Sequence, residues 1–509
     1  MRLRELFDNL KTDRKILLDR DGINPDLVRL EYDSRQILRG NSGDNDGGVI
    51  YSCVRGDTVD GHDFAASAVR NGAAALLCEC ELPIEVPQII VPGTRAVMGE
   101  AAAVLYGNPA DKMKMVGVTG TNGKTTTTYV VRSIIRASGM KAGMIGTIIY
   151  DNGREETFAA HTTPEGPDIQ LLLAQMVANG AGYCVMETSS HGLDQGRIEG
   201  CRYDAVGFSN LTPEHLEYHA NMEKYFEAKR RLFACYSRGN WRGAANADDE
   251  YGRRLIDEFP TSVSAFSMKP DFPEDGAYKA SIIKSGINGM RIGIKLADGT
   301  TFEVEAAIVG NYNAYNILEG IALTNALGFD IKAIQLGIAS CPQIPGRLER
   351  YSFSNGVTSF VDYAHSSDAM RQALDTVRPL TKGKIRVLWG AGGDRTPLKR
   401  PVIGEMMARL ADHVVVSTDN PRSEDPASIA RDVVKGIKSC PRQVRSETIL
   451  DREEAIHFIL DAAEPGDVVL IAGKGPERYI DCGTFRIPFL DCNKVLEWAK
   501  NRSVEVLAK

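Results

Sequence analysis

Few of the features that mark membrane, secreted or nucleic-acid-binding proteins occur in this sequence. No apolar run is long enough to span a bilayer, and the first ten residues alternate charged with apolar side chains, which is unlike a signal peptide. Lysine and arginine form no cluster or tail, and the formal net charge is −7, so we expect no nucleic-acid partner. These absences predict a cytoplasmic protein that acts on small molecules and has no membrane partner, and we also expect a monomer.

The ten cysteines show no metal-site spacing. The closest pair, Cys78 and Cys80, is separated by a single residue, which is too short for a zinc knuckle. The thiols are therefore typical of a reducing compartment, where they stay buried or unreactive. A chain of 509 residues should form roughly two to four domains, each large enough for its own core.

A glycine-rich loop at 117–127 is the most informative stretch. An apolar run precedes it at 113–118 and a helix-like segment follows it, so the sequence predicts a strand, a loop and a helix. Glycines allow the loop N–H groups to turn inward, and the helix N-terminus adds partial positive charge. Lys124 can reach between the outer phosphates of a nucleotide, and the Thr125 hydroxyl can hold Mg²⁺. An ordinary glycine-rich turn is the alternative, because Val118 stands where the usual phosphate loop has its first glycine. The loop residues that we predict to bind ATP are Gly120, Thr121, Asn122, Gly123, Lys124, Thr125 and Thr126.

Two further features of the central region favour nucleotide binding. The apolar strand at 183–186 ends in Glu187, and a carboxylate at the carboxyl end of such a strand is well placed to bind Mg²⁺. A surface glutamate is the alternative. Asn313 and Asn316 share one face of a predicted helix, where their amides can contact the edges of adenine. For this pair the alternative is a helix cap plus one polar residue.

A lysine interrupts an apolar helical stripe. The helix predicted at 222–237 places Lys229 one turn from Tyr225 and one turn from Phe233. A lysine on a buried stripe must reach solvent, pair with an anion or lose its charge. A neutral amine there can capture CO₂ and become a carbamate, which is an anionic ligand for a second Mg²⁺. The alternative is a lysine that extends past the apolar side chains into solvent.

From residue 343 onward strands alternate with helices, which predicts a Rossmann-like α/β unit. The unit lacks the Gly-x-Gly-x-x-Gly motif of dinucleotide-binding proteins. Polar segments follow the predicted strands at 362–365, 392–395, 419–422 and 473–477. Ligands of open α/β sheets bind at the carboxyl ends of the strands, so the four segments together indicate a binding site.

The glycine loop and the segments around Glu187 and Lys229 resemble those of the Mur ligases, which build the peptidoglycan precursor peptide. The loop also resembles that of folylpolyglutamate synthetases. Blocks at 33–35 and 60–62 extend the resemblance to Mur ligases over nearly the whole chain. The resemblance implies an α/β protein of three domains: an N-terminal α/β uridine-binding domain at 1–107, a central P-loop ATPase-like parallel sheet at 108–342, and a C-terminal Rossmann-like α/β domain at 343–509 that binds an amino acid.

The resemblance implies an ATP-dependent ligase. In such an enzyme the γ-phosphoryl group of ATP passes to the D-glutamate carboxylate of UDP-N-acetylmuramoyl-L-alanyl-D-glutamate, and the amine of an amino acid then displaces phosphate from the acyl phosphate. The segment Asp419-Asn420-Pro421-Arg422 resembles that of members that add meso-2,6-diaminopimelate, whose second carboxylate a guanidinium can hold bidentately. A member that adds L-lysine is the alternative. A phosphotransferase that makes no amide would need no such clamp, and a silent binding protein would not need an intact Lys124 or Lys229.

The remaining roles are implied by the resemblance, position by position. The catalytic residues would be Lys124, Glu187, His215 and Lys229. The metal ligands would be Thr125, Glu187, His215 and Lys229 as its carbamate, and the ATP site would include Arg347 and Asp362. The nucleotide-sugar peptide would contact the turn at 57–59 and Tyr32, Ser34, Thr162, Thr163, Ser189, Gln195 and Arg197, although Thr162 could instead be a helix cap. Diaminopimelate would contact Arg395, Asp419, Asn420, Pro421, Arg422, Gly473 and Glu477.

Several stretches differ from the family pattern. The segment at 39–48 is longer than the usual short turn, which predicts a flexible insertion. Pro476 stands where the family usually has histidine, and Asp491 begins a stretch that is less acidic than usual. Pro213-Glu214 replaces the commoner Arg-Asp before His215, and this change leaves the proposed metal ligands in place.

Overall fold

The computed structural model describes residues 1–17, 22–37, 47–56, 58–273 and 275–508. The predicted insertion at 39–48 lies outside the described residues except for its last two glycines, and Asp57 of the predicted uridine turn also lies outside them.

The chain divides into two compact units. The first comprises residues 1–279, 295–300 and 316–337, and the second comprises residues 280–294, 301–315 and 338–509.

A five-stranded sheet begins the first unit. Its strands are β1 (Lys15–Leu17), β2 (Leu27–Glu31), β3 (Gly48–Ser52), β4 (Ala73–Cys78) and β5 (Gln88–Ile90). They lie in the order β1-β5-β4-β3-β2, and only β1 is antiparallel to its neighbour. The helices are α1 (Leu3–Asn9), α2 (Ala65–Arg70) and α3 (Thr94–Leu105). Ile50 and Leu77 pack in one apolar core, whereas the adjacent Tyr51 and Leu76 pack in another, because successive side chains of a strand point to opposite faces.

The second sheet of the first unit carries the glycine loop. Its strands are β6 (Lys114–Thr119), β7 (Ala142–Ile145), β8 (Ile149–Asp151), β9 (Glu156–Phe158), β10 (Tyr183–Glu187), β11 (Tyr203–Phe208), β12 (Ser237–Asn246) and β13 (Val263–Ser267). The order β13-β12-β11-β6-β10-β7 is parallel, and β8 and β9 follow it antiparallel. Because β6 pairs with both β10 and β11, the segments that leave the carboxyl ends of these three strands are neighbours.

Helices follow most strands of this sheet. They are α4 (Lys124–Ala137), α5 (Gly166–Ala178), α6 (Ser190–Asp194), α7 (Leu216–His219), α8 (Met222–Ala234) and α9 (Glu250–Glu258). The chain then forms β14 (Tyr278–Gly286), β15 (Gly289–Lys295) and β16 (Thr301–Ala306), followed by α10 (Asn311–Ala326) and α11 (Ile331–Ala339). Helix α10 begins in the second unit and continues into the first, so Asn313 and Asn316 belong to different units.

The second unit contains a seven-stranded sheet. Its strands are β17 (Glu349–Phe353), β18 (Thr358–Asp362), β19 (Ile385–Trp389), β20 (His413–Val416), β21 (Arg445–Thr448), β22 (Val468–Ala472) and β25 (Val506–Ala508), and a separate hairpin consists of β23 (Tyr479–Asp481) and β24 (Arg486–Pro488). The sheet order is β21-β20-β19-β22-β18-β17-β25, parallel from β21 to β18. The helices are α12 (Ser367–Val377), α13 (Lys399–Leu410), α14 (Pro426–Ser439), α15 (Arg452–Asp461) and α16 (Asp491–Asn501).

Both faces of this sheet are covered. Val387 and Trp389 of β19 pack in one apolar core, and Leu388 between them packs in a second core. Near-continuous apolar strands are typical of parallel sheets that are buried on both faces. The predicted α/β class is therefore confirmed, whereas the domain limits at 107/108 and 342/343 stay predictions. Within the described residues, no helix is long and apolar enough to cross a membrane.

Candidate active site

The glycine loop connects β6 to α4 and needs its glycines. Gly120 has φ +143° and Gly123 has φ +96°, which side-chain-bearing residues rarely adopt. A Cβ at Gly120 would collide with Ser209 Oγ, and a Cβ at Gly123 would collide with Asn316 Oδ1. The neighbouring segments thus approach the loop backbone so closely that only glycine fits.

Hydrogen bonds hold the loop in one conformation. The N–H of Thr121 donates to Asn210 O at 2.8 Å, and that of Asn122 donates to Asn210 Oδ1 at 3.0 Å. The Lys124 ammonium donates to the carbonyls of Gly120 and Thr121, both at 2.9 Å. The loop and its lysine are therefore ordered by the protein itself, an arrangement that suits the binding of phosphate groups.

Glu187, the predicted metal ligand, lies beside the start of α4. Its Oε2 accepts from Thr125 Oγ1 at 3.0 Å and from Thr147 Oγ1 at 2.9 Å, while its Oε1 accepts from the Thr147 N–H at 2.8 Å. Thr147 Oγ1 lies 3.0 Å from Thr162 Oγ1, so Thr162 joins the same group. Carboxylate and hydroxyl oxygens are the ligands that Mg²⁺ prefers. The described residues contain no cluster of three or more His, Cys, Asp or Glu side chains suited to a metal, so a cation here would depend on hydroxyl groups as well.

Lys229 is buried against the same loop. Its side chain lies on α8 and is 1% exposed, its Nζ donates to Gly120 O at 2.7 Å, and Nζ is 4.6 Å from the centroid of the Tyr225 ring. Burial lowers the pKa of this amine well below its ordinary value, and the nearby charge of Lys124 lowers it further. The amine therefore does not reach solvent, and its surroundings favour the neutral form.

His215 belongs to a group of three histidines beside Lys229. Its ring centroid lies 4.8 Å from that of His191, and the His191 centroid lies 5.5 Å from that of His219. Burial lowers the pKa of His215 and that of His219 to about 4. Neutral imidazoles can ligate a metal, so the state of His215 is compatible with the predicted role.

Glu319 was missed by sequence reasoning. It is fully buried, its Oε2 accepts from Thr127 Oγ1 at 3.0 Å, and its Oε1 has no hydrogen-bond partner among the residues that the structure describes. Because burial disfavours the carboxylate, the pKa of Glu319 is raised to about 8. The sequence did contain a signal for it, because Glu319 is a charged residue among the apolar residues of helix α10.

We expect the stability of the protein to depend on pH through Glu319. Its folded pKa of about 8 exceeds the ordinary 4.5, so the folded state binds more protons between these values and the free energy of unfolding falls as pH rises. The slope should reach about 1.4 kcal/mol per pH unit. Denaturant unfolding of wild type and Glu319→Gln from pH 5 to 8 measures it, because the amide does not titrate. Parallel pH profiles for the two proteins would contradict this expectation.

The two residues predicted to contact adenine, Asn313 and Asn316, belong to different units and have different hydrogen-bond partners. The side-chain Oδ1 of Asn316 lies beside the loop at Gly123, and its main-chain carbonyl lies 3.4 Å from Thr127 Oγ1. In the second unit, the Asn313 amide donates to Val309 O at 2.7 Å and is buried. An N-cap side chain accepts from backbone N–H groups, so this donation to a carbonyl is not a cap, and the adenine contact of Asn313 stays a prediction.

Four of the residues predicted to bind the nucleotide-sugar peptide surround the short helix α6. Thr163 Oγ1 donates to Glu187 O at 2.9 Å and accepts from the Ser189 N–H at 3.0 Å. Arg197 donates to Thr163 O and to Gln195 Oε1, both at 2.9 Å. This group therefore adjoins the Glu187 carboxylate through Thr163.

Two residues predicted to contact the nucleotide-sugar peptide, Tyr32 and Ser34, follow strand β2 of the first sheet. The Tyr32 hydroxyl donates to Asp168 Oδ2 on α5 at 2.6 Å. Ser34 is largely buried, and its carbonyl accepts from the Asn71 amide at 2.9 Å.

In the second unit, Asp362 organises the turn that follows Arg347. Its two carboxylate oxygens accept from the N–H of Leu348 at 2.7 Å and of Ala364 at 2.9 Å. Burial raises the pKa of Asp362, whereas the charge of Arg347 lowers it. The Arg347 guanidinium lies 5.1 Å from the centroid of the Tyr363 ring.

The carboxyl ends of β20 and β22 bring most of the predicted amino-acid contacts together. The Asn420 amide donates to Glu477 Oε2 at 2.7 Å. A fully buried cation, Lys474, donates to Asn420 Oδ1 at 3.0 Å and to Glu477 Oε2 at 3.2 Å, and lies 3.5 Å from Asp419 Oδ1. Gly473 has φ +107°, and a Cβ there would lie 3.0 Å from the Asp419 carboxylate. Lys474 was missed, although it stands within the predicted segment 473–477.

Two guanidinium side chains border this region at Gly392. A Cβ at Gly392 would lie 3.2 Å from Arg422 Nη1 and 3.8 Å from Arg395 Cγ. Arg422 Nη1 donates to Gly393 O at 2.5 Å, while Arg395 is exposed. Arg422 has φ +51°, and its N–H donates to Asp481 O at 2.9 Å. Carbonyl contacts therefore fix both the backbone and the side chain of Arg422.

Comparison with known proteins agrees with the sequence motifs. Family profiles match residues 34–112 (Mur ligase family, catalytic domain), 118–324 (Mur ligase middle domain) and 346–475 (Mur ligase, glutamate ligase domain). The UDP-N-acetylmuramoyl-L-alanyl-D-glutamate–2,6-diaminopimelate ligase of Geobacillus kaustophilus is 41% identical over 475 residues, which cover 92% of this chain and 94% of the relative. The ligase of the same name from Gloeobacter violaceus is 38% identical over 509 residues and covers 99% of both chains.

Solved structures share the fold. A structure of a UDP-N-acetylmuramoyl-L-alanyl-D-glutamate–2,6-diaminopimelate ligase has a TM-score of 0.63 and 28% identity, and covers 94% of this chain and 95% of its own. The MurF ligase of Thermotoga maritima in complex with ADP is 18% identical with a TM-score of 0.62, covers 93% of this chain and 97% of its own, and supports the fold alone. The resemblance inferred from the motifs is confirmed: the chain belongs to the Mur ligase family.

Proposed function

We propose that the protein is an ATP-dependent ligase that joins meso-2,6-diaminopimelate to the D-glutamate of UDP-N-acetylmuramoyl-L-alanyl-D-glutamate. Relatives at 38–41% identity bear the name of this activity. The observation that carries the proposal is the group of carboxylate, amide and guanidinium side chains at the ends of β20 and β22. The proposed substrates are small molecules of the cytoplasm, and the proposal requires no partner chain.

The first unit supplies the nucleotide site of the proposal. The ordered loop would bind the phosphates of ATP through N–H groups other than those of Thr121 and Asn122, which donate to Asn210. Lys124 would offset the charge that collects as two anions approach. Thr125 and Glu187 provide oxygen ligands that fit Mg²⁺, which would supply further positive charge. Asn316, whose Oδ1 lies beside Gly123, is a proposed contact of the nucleotide, and Asn313, Arg347 and Asp362 remain proposed ATP contacts.

Lys229 is proposed as the carbamate. Its neutral amine would attack the carbon of CO₂, forming an N–C bond while one C–O electron pair moves onto oxygen and an amine proton leaves to solvent. The buried position lowers the pKa of the amine, as this step requires. The resulting anion and His215 would provide the ligands of a second Mg²⁺.

Group transfer then needs no nucleophilic side chain. An oxygen of the D-glutamate carboxylate would form a bond to the γ-phosphorus while the bond to ADP breaks. The amine of diaminopimelate would attack the acyl carbon, the C–N bond would form, phosphate would leave, and the amine would lose a proton. The role of the chain is to position the reactants and to balance charge.

The second unit would select the amino acid. Asp419, Asn420 and Glu477 offer oxygen acceptors for its ammonium ends, and Gly473 allows a close approach of the backbone. Arg395 and Arg422 offer guanidinium groups for its carboxylates. Thr162, Thr163, Ser189, Gln195 and Arg197 in the first unit, with Tyr32 and Ser34, would bind the nucleotide-sugar peptide.

Phosphate release from ATP tests the proposal. With the nucleotide dipeptide present, we expect release and amide formation with diaminopimelate, and little with L-lysine or D-alanyl-D-alanine. Arg422→Ala removes the side chain that would hold the second carboxylate, a contact worth roughly 2 to 4 kcal/mol. We therefore expect kcat/KM for diaminopimelate to fall about thirty- to several-hundredfold, while the low rate with lysine hardly changes.

Arg409→Ala is a matched control, because Arg409 is an exposed arginine of α13 in the same unit. It should leave kcat/KM unchanged for each amino acid. Wild-type protein that uses lysine as well as diaminopimelate would favour the lysine-adding alternative. Equal losses for both amino acids in Arg422→Ala would show that Arg422 only shapes the unit.

A further inference from the structure

The second unit also contains an arginine, Arg452, whose side chain is completely buried. Arg452 begins α15 and Asp491 begins α16, and both side chains are 0% exposed. Arg452 Nε donates to Asp491 Oδ1 and its Nη2 donates to Asp491 Oδ2, both at 2.7 Å. A buried ion pair is costly unless its geometry is good and its other donors are satisfied. The fork-to-fork pairing meets the first condition.

Two further N–H groups of Arg452 reach the backbone near two strand ends. Nη1 donates to Thr418 O at 3.1 Å, and Nη2 donates to Ala472 O at 3.1 Å. Thr418 directly precedes the segment 419–422, and Ala472 directly precedes the segment 473–477. One guanidinium therefore joins the backbones of the two segments that carry the proposed amino-acid site.

We propose that Arg452 and Asp491 are positioning residues for the amino-acid site. Arg452 sets the spacing of the two segments through their carbonyls, and Asp491 fixes the plane of the guanidinium; neither residue touches substrate. The inference rests on the proposed function and extends it to residues outside the binding segments. Loss of the pair should let the segments shift, which weakens the binding of diaminopimelate more than that of ATP.

The same sheet provides a matched pair at its opposite end. Arg386 Nε lies 2.7 Å from Asp467 Oδ2, and their side chains are only 5% and 3% exposed. Arg386 stands near the amino end of β19, and Asp467 directly precedes β22. This pair is thus a buried Arg–Asp pair of the same unit that lies away from the carboxyl ends of the strands.

The experiment compares Arg452→Lys and Asp491→Asn with Arg386→Lys and Asp467→Asn in the full-length protein. For each variant we would measure the melting temperature, kcat, and separate KM values for diaminopimelate, ATP and the nucleotide dipeptide. We expect KM for diaminopimelate to rise about ten- to a hundredfold in the first two variants, with KM for ATP within about twofold of wild type. The control variants should lose melting temperature without this change in KM.

Two results would overturn the inference: an unchanged KM for diaminopimelate in Arg452→Lys and Asp491→Asn, or equal rises in KM for diaminopimelate and ATP. Should Arg452→Lys fail to fold, Asp491→Asn decides, because it keeps the size of the side chain but replaces one acceptor of the guanidinium with a donor, so the plane of Arg452 is no longer fixed. Wild-type protein that does not use diaminopimelate would overturn the proposed function and this inference with it. If the wild-type protein does use diaminopimelate but KM for it is unchanged in Arg452→Lys and Asp491→Asn, the inference is overturned and the proposed function stands.

Discussion

Lys124→Ala should abolish turnover while the protein stays folded. The Lys124 ammonium lies on the glycine loop, where it donates to two loop carbonyls at 2.9 Å. Its proposed task is to offset charge on the phosphates as the γ-phosphoryl group moves. Removing such a preorganised cation from phosphoryl transfer should lower kcat by about a thousandfold or more. Amide formation from ATP, the nucleotide dipeptide and diaminopimelate measures the loss.

Lys141→Ala is the control for this variant. Lys141 is an exposed lysine shortly after α4, and its Nζ donates to Asn179 O at 3.2 Å. Both variants should melt close to wild type, since Lys124 is only half-buried and belongs to no apolar core. Amide formation by Lys124→Ala at a rate near that of Lys141→Ala would refute the phosphate role.

Local chemistry explains why the loop region could be predicted. The apolar run at 113–118 predicted a strand, and β6 spans Lys114–Thr119. Gly120 and Gly123 both adopt positive φ, a backbone requirement that is visible in sequence as glycine. Likewise the stripe at 222–237 predicted a helix, and α8 spans Met222–Ala234. These elements are determined by residues close in sequence.

Contacts between distant residues could not be predicted in the same way. Thr147 is 40 residues from Glu187, yet it donates two of the hydrogen bonds that orient the carboxylate. Thr127 and Glu319 are 192 residues apart. Their meeting depends on which strands and helices become neighbours. Periodicity along one element contains no information about that pairing.

The proposed binding segments of the second unit include a feature that could be predicted from the sequence and one that could not. The four polar segments after its strands were recognised because ligands bind at the carboxyl ends of parallel strands. The pair that joins two of them, Arg452 and Asp491, stands on two helices that follow other strands. In the sequence Asp491 was only a departure from the family pattern. Its significance depends on the buried guanidinium opposite it.

Lys229→Ala should lose about a hundredfold or more in kcat, because a metal ligand contributes several kcal/mol of charge stabilisation. The Lys229 amine is buried against Gly120 O and the Tyr225 ring, with a pKa well below its ordinary value. In the proposal, this amine reacts with CO₂ in its neutral form. Since the proposed carbamate supplies a carboxylate-like anion, added acetate or formate should restore part of the activity of Lys229→Ala.

Lys224→Ala tests whether the rescue is specific, because Lys224 is an exposed lysine of the same helix. This control should keep wild-type activity and show no response to acetate. In the wild-type protein, trapping with ¹³CO₂ followed by mass spectrometry should label Lys229 and leave Lys224 unlabelled. An unlabelled Lys229, together with a Lys229→Ala variant that acetate and formate do not activate, would show that the amine acts without a carbamate. The neutral state of Lys229 would then serve only the packing of α8 against the glycine loop.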